Sequence, residues 1–307
     1  MGLDSLSVNI IYLKRLIATI MALYATDADG YIFAADASPG ASYRCLECFS
    51  PVKVRRGRNR LAHFYHLQRS PQCHLYSKSE DHLLVQLQLQ KILSEESAQI
   101  ERPFLTVHRI ADLLWEKEKI AFEIQCSSLD ISEAERRVID YNKLGYTVVW
   151  LLDDRIFNQR FVRNSEEFLR TQTCYFFSFQ RAGISRFYDQ IEIIIQRKRF
   201  KKSYPLTVDL STPRIKPFLE WPPDIPDQIK DRIHRAERYF RGDLIHKTIQ
   251  AAIHPYTALY LEKWRNIELE LHRLNRPSGR ISTFFQELIV LPYDQLLNWL
   301  IRRMDQH

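Results

Sequence analysis

Cysteine is scarce in this sequence of 307 residues, which contains five, and only Cys45 and Cys48 form a motif, C-x-x-C. Extracellular proteins that depend on disulfides carry a spaced, paired framework of cysteines, and the sequence shows none. We therefore expect a reducing compartment, the cytosol, and a metal or redox role for the cysteine pair. The sequence also lacks an apolar run of about 18 residues, so we predict no membrane span.

Acidic residues are absent between Cys48 and Ser79, where seven basic residues stand. The whole chain has a net charge of +7, so the seven positive charges of this segment equal the net positive charge of the whole protein. Such a concentration of positive charge suits a phosphate backbone, and a merely solvated basic loop is the alternative. The residues that we predict to contact DNA are Lys53, Arg55, Arg56, Arg58 and Arg60.

The first 20 residues loosely resemble a signal peptide, because Lys14 and Arg15 precede a short apolar run. The thiol chemistry expected further along argues against export. We expect Met21 to be the initiator and residues 1–20 to be an upstream extension.

The chain divides into segments of different character. Residues 21–76 contain short strands and turns without helical periodicity, which predicts a compact, metal-dependent β module. Residues 77–202 mix helical and strand patterns and form the predicted main domain. Six of the thirteen prolines fall between Pro205 and Pro226, which predicts a linker over residues 203–226. Residues 227–307 are predicted to form a helical C-terminal domain.

The C-x-x-C motif is followed by further potential metal ligands. Cys45 and Cys48 precede His63 and His66, and Cys73 comes after them. Structural zinc takes four thiolate or imidazole ligands in a tetrahedron, so we predict that four of these five residues bind Zn²⁺. The two histidines would point to opposite faces of a strand. We expect His66 to bind, with His63 as its substitute; a redox dithiol and a set of buried cysteines are the alternatives.

Residues 109–125 are predicted to form two strands joined by a turn. A pairing of Trp115 with Ile120 sets the register. Antiparallel counting from that pair places Asp112 directly opposite Glu123 on one face. The opposite face is apolar and carries Ala111, Leu113, Trp115, Ile120, Phe122 and Ile124. Two carboxylates about 5 Å apart repel unless a proton or cation lies between them, and hard oxygens suit Mg²⁺ or Mn²⁺; two acids facing water are the alternative.

The flanking sequence places this hairpin within a larger core. Apolar residues at helical spacing predict a helix over residues 79–94, and residues 100–105 predict another strand. Ser132 with Glu135 forms a capping box for a second helix, and residues 146–152 are a buried strand. The order is helix, three strands, helix and strand, so we predict an α+β fold.

Hydrolysis of a phosphodiester needs a cation that polarises the phosphoryl oxygen and lowers the pKa of a bound water, and carboxylates can hold that cation. We predict Asp112 and Glu123 as its ligands. Gln125 stands one pleat beyond Glu123, where it could orient the attacking water but supplies no positive charge. Glu80, at the start of the preceding helix, is a candidate third carboxylate, and His82 could approach the site.

These motifs, in this order and spacing, resemble the competence protein CoiA family, whose members are similar to nucleases of the PD-(D/E)xK restriction-endonuclease-like fold. The resemblance covers residues 21–152. It implies an N-terminal zinc-binding β module, a restriction-endonuclease-like αβββαβ core and a helical C-terminal region. The motifs that carry it are Tyr43-Arg-Cys-Leu-Glu-Cys48, His63-Phe-Tyr-His66, Ser79-Glu-Asp-His82-Leu, Arg109-Ile-Ala-Asp112, Phe122-Glu-Ile-Gln125-x-Ser127, Glu135-Arg-Arg, Tyr141 and Gly145-Tyr-Thr-Val-Val-Trp150.

The resemblance implies that Gln125 occupies the place of the fold's usual lysine, and Gln86 stands where another family lysine is expected. Loss of such a charge can slow catalysis by about 100-fold, so the rate is affected more than metal binding. The resemblance also implies the same roles for Asp112, Glu123 and Glu80 as above. Four further residues are implied to line or brace the site: Ser127, Glu135, Arg136 and Tyr141.

Three functions are open at this point. The first is a metal-dependent DNA nuclease that processes transforming DNA during natural competence, with single-stranded or branched DNA and competence or recombination proteins as partners. The second is a catalytically weak or inactive DNA-binding or recombination-mediator module that uses the fold as a scaffold. The third is a redox protein using Cys45 and Cys48. Arg136 either contacts DNA phosphate or lies on a solvated helix face.

Overall fold

The computed structural model describes residues 22–58, 60–68, 73, 75, 78–93, 97–179, 185–218, 220–222 and 224–275. The predicted upstream extension, residues 1–20, lies outside the described residues. So does the last part of the predicted C-terminal helical domain, residues 276–307.

The described residues form sixteen strands and seven helices. The strands are β1 Tyr24–Thr26, β2 Tyr31–Phe33, β3 Tyr43–Arg44, β4 Pro51–Gly57, β5 Arg60–His66, β6 Ala98–Phe104, β7 Arg109–Trp115, β8 Ile120–Gln125, β9 Thr147–Asp153, β10 Cys174–Phe179, β11 Ser185–Asp189, β12 Glu192–Ile195, β13 Lys198–Lys202, β14 Leu206–Thr207, β15 Asp209–Ile215 and β16 Arg238–Arg241. The helices are α1 Glu80–Leu93, α2 Ile131–Lys143, α3 Asp154–Phe157, α4 Asn164–Arg170, α5 Asp227–Arg235, α6 Leu244–Ala251 and α7 Pro255–Leu274.

The N-terminal module is a five-stranded sheet in the order β2-β1-β3-β4-β5. Its core is small and rich in alanine, with Tyr43, Leu46, Phe64 and Leu75 as its larger members beside Cys45 and Cys73. Because so little aliphatic surface is buried there, a metal bound to the cysteines would supply much of the stability of the module.

A seven-stranded sheet in the order β14-β11-β10-β9-β8-β7-β6 forms the centre of the molecule. β8, β9 and β10 run parallel to one another, and the remaining neighbours are antiparallel. One face is covered by the aliphatic side of α1, and the other by α2, α3 and α4. The chain order α1-β6-β7-β8-α2-β9 is the predicted helix, three strands, helix and strand. The predicted α+β class is confirmed.

The β7–β8 hairpin has the predicted register next to its turn. The ladder runs from the Trp115–Ile120 pair to the Leu113–Phe122 pair. The next donor, the backbone N–H of Ile124, bonds the side chain of Asp112 at 2.8 Å instead of a backbone carbonyl. The hairpin therefore carries the two acids where its regular pairing ends.

The predicted apolar face of this hairpin is wrong at Ala111. Leu113, Trp115, Ile120, Phe122 and Ile124 lie in the core under α1, whereas Ala111 lies in the core under α2. The adjacent strand β6 explains the difference. Glu101 adopts a φ of 52°, which interrupts the alternation of side chains, so both β6 and its partner β7 present the opposite face beyond this point.

Helix α2 begins one residue before the predicted cap. Asp130 is the N-cap, and its carboxylate accepts the backbone N–H of Ser132 at 2.9 Å. The capping box expected from Ser132 and Glu135 is therefore wrong. Aspartate is as good an N-cap as serine, and the choice depends on which residue has the extended backbone.

The proline-rich segment over residues 203–226 is not the irregular linker that the sequence predicts. β14 adds a strand to the central sheet, and β15 pairs with β16. Pro213 is tolerated because the β15–β16 ladder is only two-stranded and its register shifts between Asp209 and Pro213. The C-terminal region is helical as predicted from α5 to α7, with β16 between α5 and α6.

A third core unites this C-terminal region with the β12–β13 hairpin, through Ile193 and Ile195 on one side and Leu261 and Trp264 on the other. Among the described residues, no helix has the length and apolar character that crossing a membrane requires.

Candidate functional site

Four of the five predicted zinc ligands lie together. The ligand atoms of Cys45, Cys48, His66 and Cys73 are all within 4.8 Å of one another, so this cluster could hold a metal ion. The Cys45–Cys73 sulfur distance is 3.6 Å, and His66 Nε2 is 3.2 Å and 3.6 Å from the sulfurs of Cys48 and Cys73. The edges of a tetrahedral zinc site are about 3.8 Å between sulfurs and about 3.6 Å from sulfur to nitrogen. The donor set and its spacing therefore fit zinc.

The predicted substitute, His63, is not part of this cluster. It is fully buried on the opposite side of β5, and its Nδ1 lies 2.7 Å from the carbonyl oxygen of Leu61. The three-residue spacing of the two histidines thus separates them by strand alternation, as the sequence predicts.

The thiols of the cluster share their protons unequally. A hydrogen bond from Cys73 lowers the pKa of Cys45 to about 5, against the opposing effect of burial. The same bond and burial raise the pKa of Cys73. A thiolate is the form that binds metal, so the arrangement favours at least one ligand in its binding state.

A second group of potential ligands consists of Asp227, Glu268 and His272. Arg265 Nη1 lies 2.7 Å from a carboxylate oxygen of both acids, so a guanidinium already neutralises them. Asp227 and His272 are exposed, and nothing else indicates a ligand there.

A cleft of about 370 Å³ opens where β7 and β8 part, between the start of α1 and the side of α2. Asp112 and Gln125 lie in its floor, and His82, Arg137 and Tyr141 come from the two helices. The N-terminal module forms part of its wall, because Glu47 and Leu75 also line it. The metal cluster and the cleft are therefore neighbours.

Asp112 is buried and surrounded by donors. Its Oδ1 lies 2.8 Å from Lys78 Nζ and 3.0 Å from His82 Nε2, and its Oδ2 accepts the N–H of Ile124. Burial by itself would raise the pKa of Asp112, but the charges of His82 and Lys78 outweigh it and hold the pKa well below its usual range. Asp112 is consequently a carboxylate at any physiological pH.

Glu123 is bound from the other helix. Arg137 donates to its Oε2, and the Tyr141 hydroxyl donates to its Oε1 at 2.6 Å. Burial raises the pKa of Glu123, the Arg137 charge opposes this effect, and the nearby charge of Asp112 adds to it. The two acids thus influence each other electrostatically, although their partners come from opposite sides of the sheet.

Lys78 is the residue that the sequence analysis missed at this site. In the sequence it is one of the seven cations of the basic segment, and it precedes α1 and belongs to none of the family motifs. Its ammonium nevertheless bridges Asp112 Oδ1 and Glu101 Oε1, with only 8% of the side chain exposed. Arg137 was likewise passed over for its exposed neighbour Arg136. A signal was available, since Lys78 stands two residues before Glu80 and four before His82.

The glutamines that replace the expected lysines have structural partners. Gln125 donates its amide N–H to the carbonyl of Ser127 at 2.8 Å. Gln86, fully buried in α1, donates to the backbone carbonyl of Asp112 at 2.8 Å. Glu80 is half-buried at the first residue of α1, and its role as a third carboxylate stays a prediction.

The four residues implied to line or brace the site divide into two pairs. Ser127 and Tyr141 line the cleft. Glu135 and Arg136 are exposed on α2, and Arg136 pairs with Glu133 at 3.1 Å. Glu133 also forms ion pairs with Arg137 and Arg109, both of which line the cleft.

The basic segment is displayed on the β4–β5 hairpin. Arg56 and Arg58 are exposed, and the guanidinium of Arg55 lies 4.4 Å from the centre of the Tyr65 ring. Lys53 donates to the carbonyl of Ala41. The side chain of Arg60 lies outside the described residues.

Comparison with known proteins gives one match. Residues 78–202 match the family model described as competence protein CoiA, nuclease-like domain. No curated protein and no solved structure matches the chain. The matched segment begins at Lys78 and contains Asp112, Glu123 and Arg137, so the cleft belongs largely to this domain. The match confirms the resemblance of residues 78–202 to the nuclease-like domain of the CoiA family and supports a nuclease-like role in competence.

Proposed function

We propose that this protein is a metal-dependent nuclease with a restriction-endonuclease-like core, acting on DNA phosphodiesters during the processing of transforming DNA. The observation that carries the proposal is the pairing of two buried carboxylates, Asp112 and Glu123, at the point where β7 and β8 part. Carboxylates are rarely buried in this way without a functional or ionic partner. Both lie inside the segment that matches a nuclease-like domain.

The donor set suits a hard divalent cation. Mg²⁺ is commonly bound by one or two carboxylates, with water and substrate phosphate oxygens completing its shell. Asp112 and Glu123 would hold Mg²⁺ or Mn²⁺ in this way. When bound, the cation would polarise the phosphoryl oxygen and lower the pKa of a water.

Lys78 compensates for the glutamine at position 125. A nuclease of this kind needs a fixed positive charge near the scissile phosphate, and Gln125 cannot provide it. The Lys78 ammonium, held against Asp112, supplies that charge from the start of α1. Arg137 provides a second one from α2, next to Glu123. The positive charge expected on β8 is therefore supplied by Lys78, just before α1, and by Arg137 on α2.

The N-terminal module would bring the DNA. Its Cys₃His cluster would hold a structural Zn²⁺, and the exposed cations of the β4–β5 hairpin would contact the phosphate backbone. We propose single-stranded or branched DNA as the substrate, with competence or recombination proteins as partners.

A cleavage assay tests the proposal. Purified protein with Mg²⁺ or Mn²⁺ should cut labelled single-stranded or branched DNA, and Asp112→Asn and Glu123→Gln should reduce the rate by at least about 100-fold. Asp209→Asn, which alters a half-buried acid at the first residue of β15 that does not line the cleft, is the control and should keep full activity. Equal activity of wild type and both cleft variants would identify a contaminating nuclease and refute the proposal.

A second candidate, a non-catalytic DNA-binding or recombination-mediator module, is favoured by one observation. Each carboxylate already pairs with a cation of the protein, Lys78 at Asp112 and Arg137 at Glu123. Such pairs can serve as a scaffold. Calorimetric titration with Mn²⁺ separates the candidates, because only the nuclease should bind the ion in wild type and lose it in Glu123→Ala.

A further inference from the structure

Lys78 is fixed between two carboxylates that come from different strands. Its Nζ lies 2.8 Å from Asp112 Oδ1 on β7 and 3.2 Å from Glu101 Oε1 on β6. Burial tends to lower the pKa of Lys78, and the charges of Asp112 and Glu101 more than reverse that effect. The side chain is therefore a charged group with a defined position, set jointly by the two acids.

Glu101 reaches beyond the cleft domain. Its Oε2 accepts the backbone N–H groups of Leu23 at 3.0 Å and of Tyr24 at 2.9 Å, where β1 of the N-terminal module begins. Only 1% of Glu101 is exposed, and its φ of 52° is unusual for a residue with a side chain. One carboxylate thus joins the N-terminal module to the cleft lysine.

We propose that Glu101 is a positioning residue through which the docked N-terminal module holds Lys78 against Asp112, so that the cleft is complete only while the module is in place. The inference rests on the proposed function, because it assigns Lys78 to catalysis. It makes the Cys₃His module a part of the nuclease site as well as a DNA-binding element.

A second connection between module and cleft supports this coupling. Cys73, a member of the metal cluster, stands five residues before Lys78 in the sequence. Glu47, which stands between Cys45 and Cys48, accepts the backbone N–H of Leu75 at 2.8 Å, and both Glu47 and Leu75 line the cleft. The segment that leads into Lys78 is therefore anchored at the cluster.

The chemistry of Glu101 explains why an amide cannot replace it. An ionised carboxylate accepts on both oxygens, and here one oxygen faces an ammonium while the other faces two N–H groups. Glutamine has one accepting oxygen and one donating NH₂. Whichever way the amide of Glu101→Gln is turned, its NH₂ faces a donor, so one of the two connections is lost.

The test compares Glu101→Gln with Glu268→Gln in the full-length protein. Glu268 is a matched control because it is also a buried carboxylate that accepts a backbone N–H, that of Asp227, and pairs with a cation, Arg265, away from the cleft. Two quantities are measured: the kcat and KM for cleavage of single-stranded DNA, and the rate at which acetic anhydride labels the Lys78 amine, followed by mass spectrometry.

Misplacement of a catalytic group by about 1 Å can cost about 100-fold in rate, so Glu101→Gln should lower kcat by roughly 10- to 100-fold with little change in KM. Labelling of Lys78 should accelerate severalfold, because the amine loses a partner. Glu268→Gln should change neither quantity. Wild-type kcat and wild-type labelling in Glu101→Gln would overturn the inference.

The labelling experiment also separates this inference from the proposed function. If wild type does not cleave DNA, the nuclease proposal fails. Faster labelling of Lys78 in Glu101→Gln would still establish that Glu101 positions the lysine. Unchanged labelling would refute that role of Glu101. If Glu101→Gln does not fold, Glu101→Asp takes its place. The shorter carboxylate should give intermediate kcat and labelling, and wild-type values for both would overturn the inference.

Discussion

Replacement of Lys78 by methionine tests the charge arrangement of the cleft most directly. The change removes the ammonium and keeps a side chain of similar length. Loss of one partner from a buried ion pair costs about 3–5 kcal/mol. In the variant, Asp112 keeps its contacts with His82 and the Ile124 N–H, and Glu101 keeps its two backbone hydrogen bonds. We therefore expect a loss of stability at the lower end of this range. The free energy of unfolding at pH 7 should fall by about 3 kcal/mol.

The pH dependence of this loss has a definite sign. The pKa of Asp112 is lowered in the folded protein, so the stability that it contributes is present above the unfolded pKa of about 3.9 and is lost as the pH falls. Without Lys78, burial shifts the pKa of Asp112 upward, and the variant takes up the proton at higher pH than wild type. The difference in stability between wild type and Lys78→Met should therefore shrink as the pH falls from 7 towards 4.

Urea unfolding at pH 7, 5.5 and 4.5 measures both effects, with Lys91→Met as the control. Lys91 is exposed in the last turn of α1, and its loss should cost no more than about 0.5 kcal/mol. A double-mutant cycle of Lys78→Met with Asp112→Asn should show coupling of about 1–3 kcal/mol. Coupling near zero, or a stability loss that does not vary with pH, would show that the bridging ammonium is absent in solution.

Three further predictions concern other parts of the molecule. Elemental analysis should find bound zinc in wild type. Cys73→Ser should lose this zinc, whereas His63→Gln should keep it; zinc loss in the latter would contradict the ligand set. Replacing Arg56 and Arg58 together by glutamine should weaken binding of a single-stranded oligonucleotide in fluorescence anisotropy and reduce the salt slope by about 1.4, and an unchanged slope would remove these residues from the interface. Burial raises the pKa of Asp243 to about 6. The folded protein therefore holds this proton more tightly than the unfolded chain between about pH 4 and pH 6. The free energy of unfolding of wild type relative to Asp243→Asn should fall by about 3 kcal/mol as the pH rises through that window. A difference between the two proteins that does not change with pH would refute the shift.

The metal cluster could be predicted from the sequence because its geometry depends on short-range rules. A C-x-x-C turn places two thiols side by side, and strand alternation separates His63 from His66 without any knowledge of the fold. Only Cys73 lies outside these local patterns. It was predicted because a structural zinc needs a fourth ligand.

The cleft was predicted only in part. Periodicity and the turn at residues 116–119 were enough for the hairpin register, and Asp112 and Glu123 lie where that register ends. The side of the sheet on which Ala111 packs did not follow, because Glu101 interrupts the alternation of the neighbouring strand. A positive φ at a glutamate leaves no sequence signal comparable to a glycine.

The proline-rich segment shows the limit of composition as a guide. Proline excludes a residue from the interior of a ladder, and for that reason the sequence predicted an irregular linker. β15 accommodates Pro213 in a two-stranded ladder with a register shift, and this option exists only because β16, more than twenty residues away, supplies the partner.

The sequence by itself determined the order of helices and strands from α1 to β9, the cysteines and His66 of the metal cluster, and the positions of Asp112 on β7 and Glu123 on β8, because periodicity, spacing and turn chemistry act over a few residues. Tertiary structure alone decided which charges meet those acids. Lys78 and Glu101 are 23 residues apart, and Glu101 and Leu23 are 78 apart, so no local pattern links them. The burial that joins these residues depends on how the N-terminal module packs against β6, and a buried charge acquires its role only from the partners that packing brings to it.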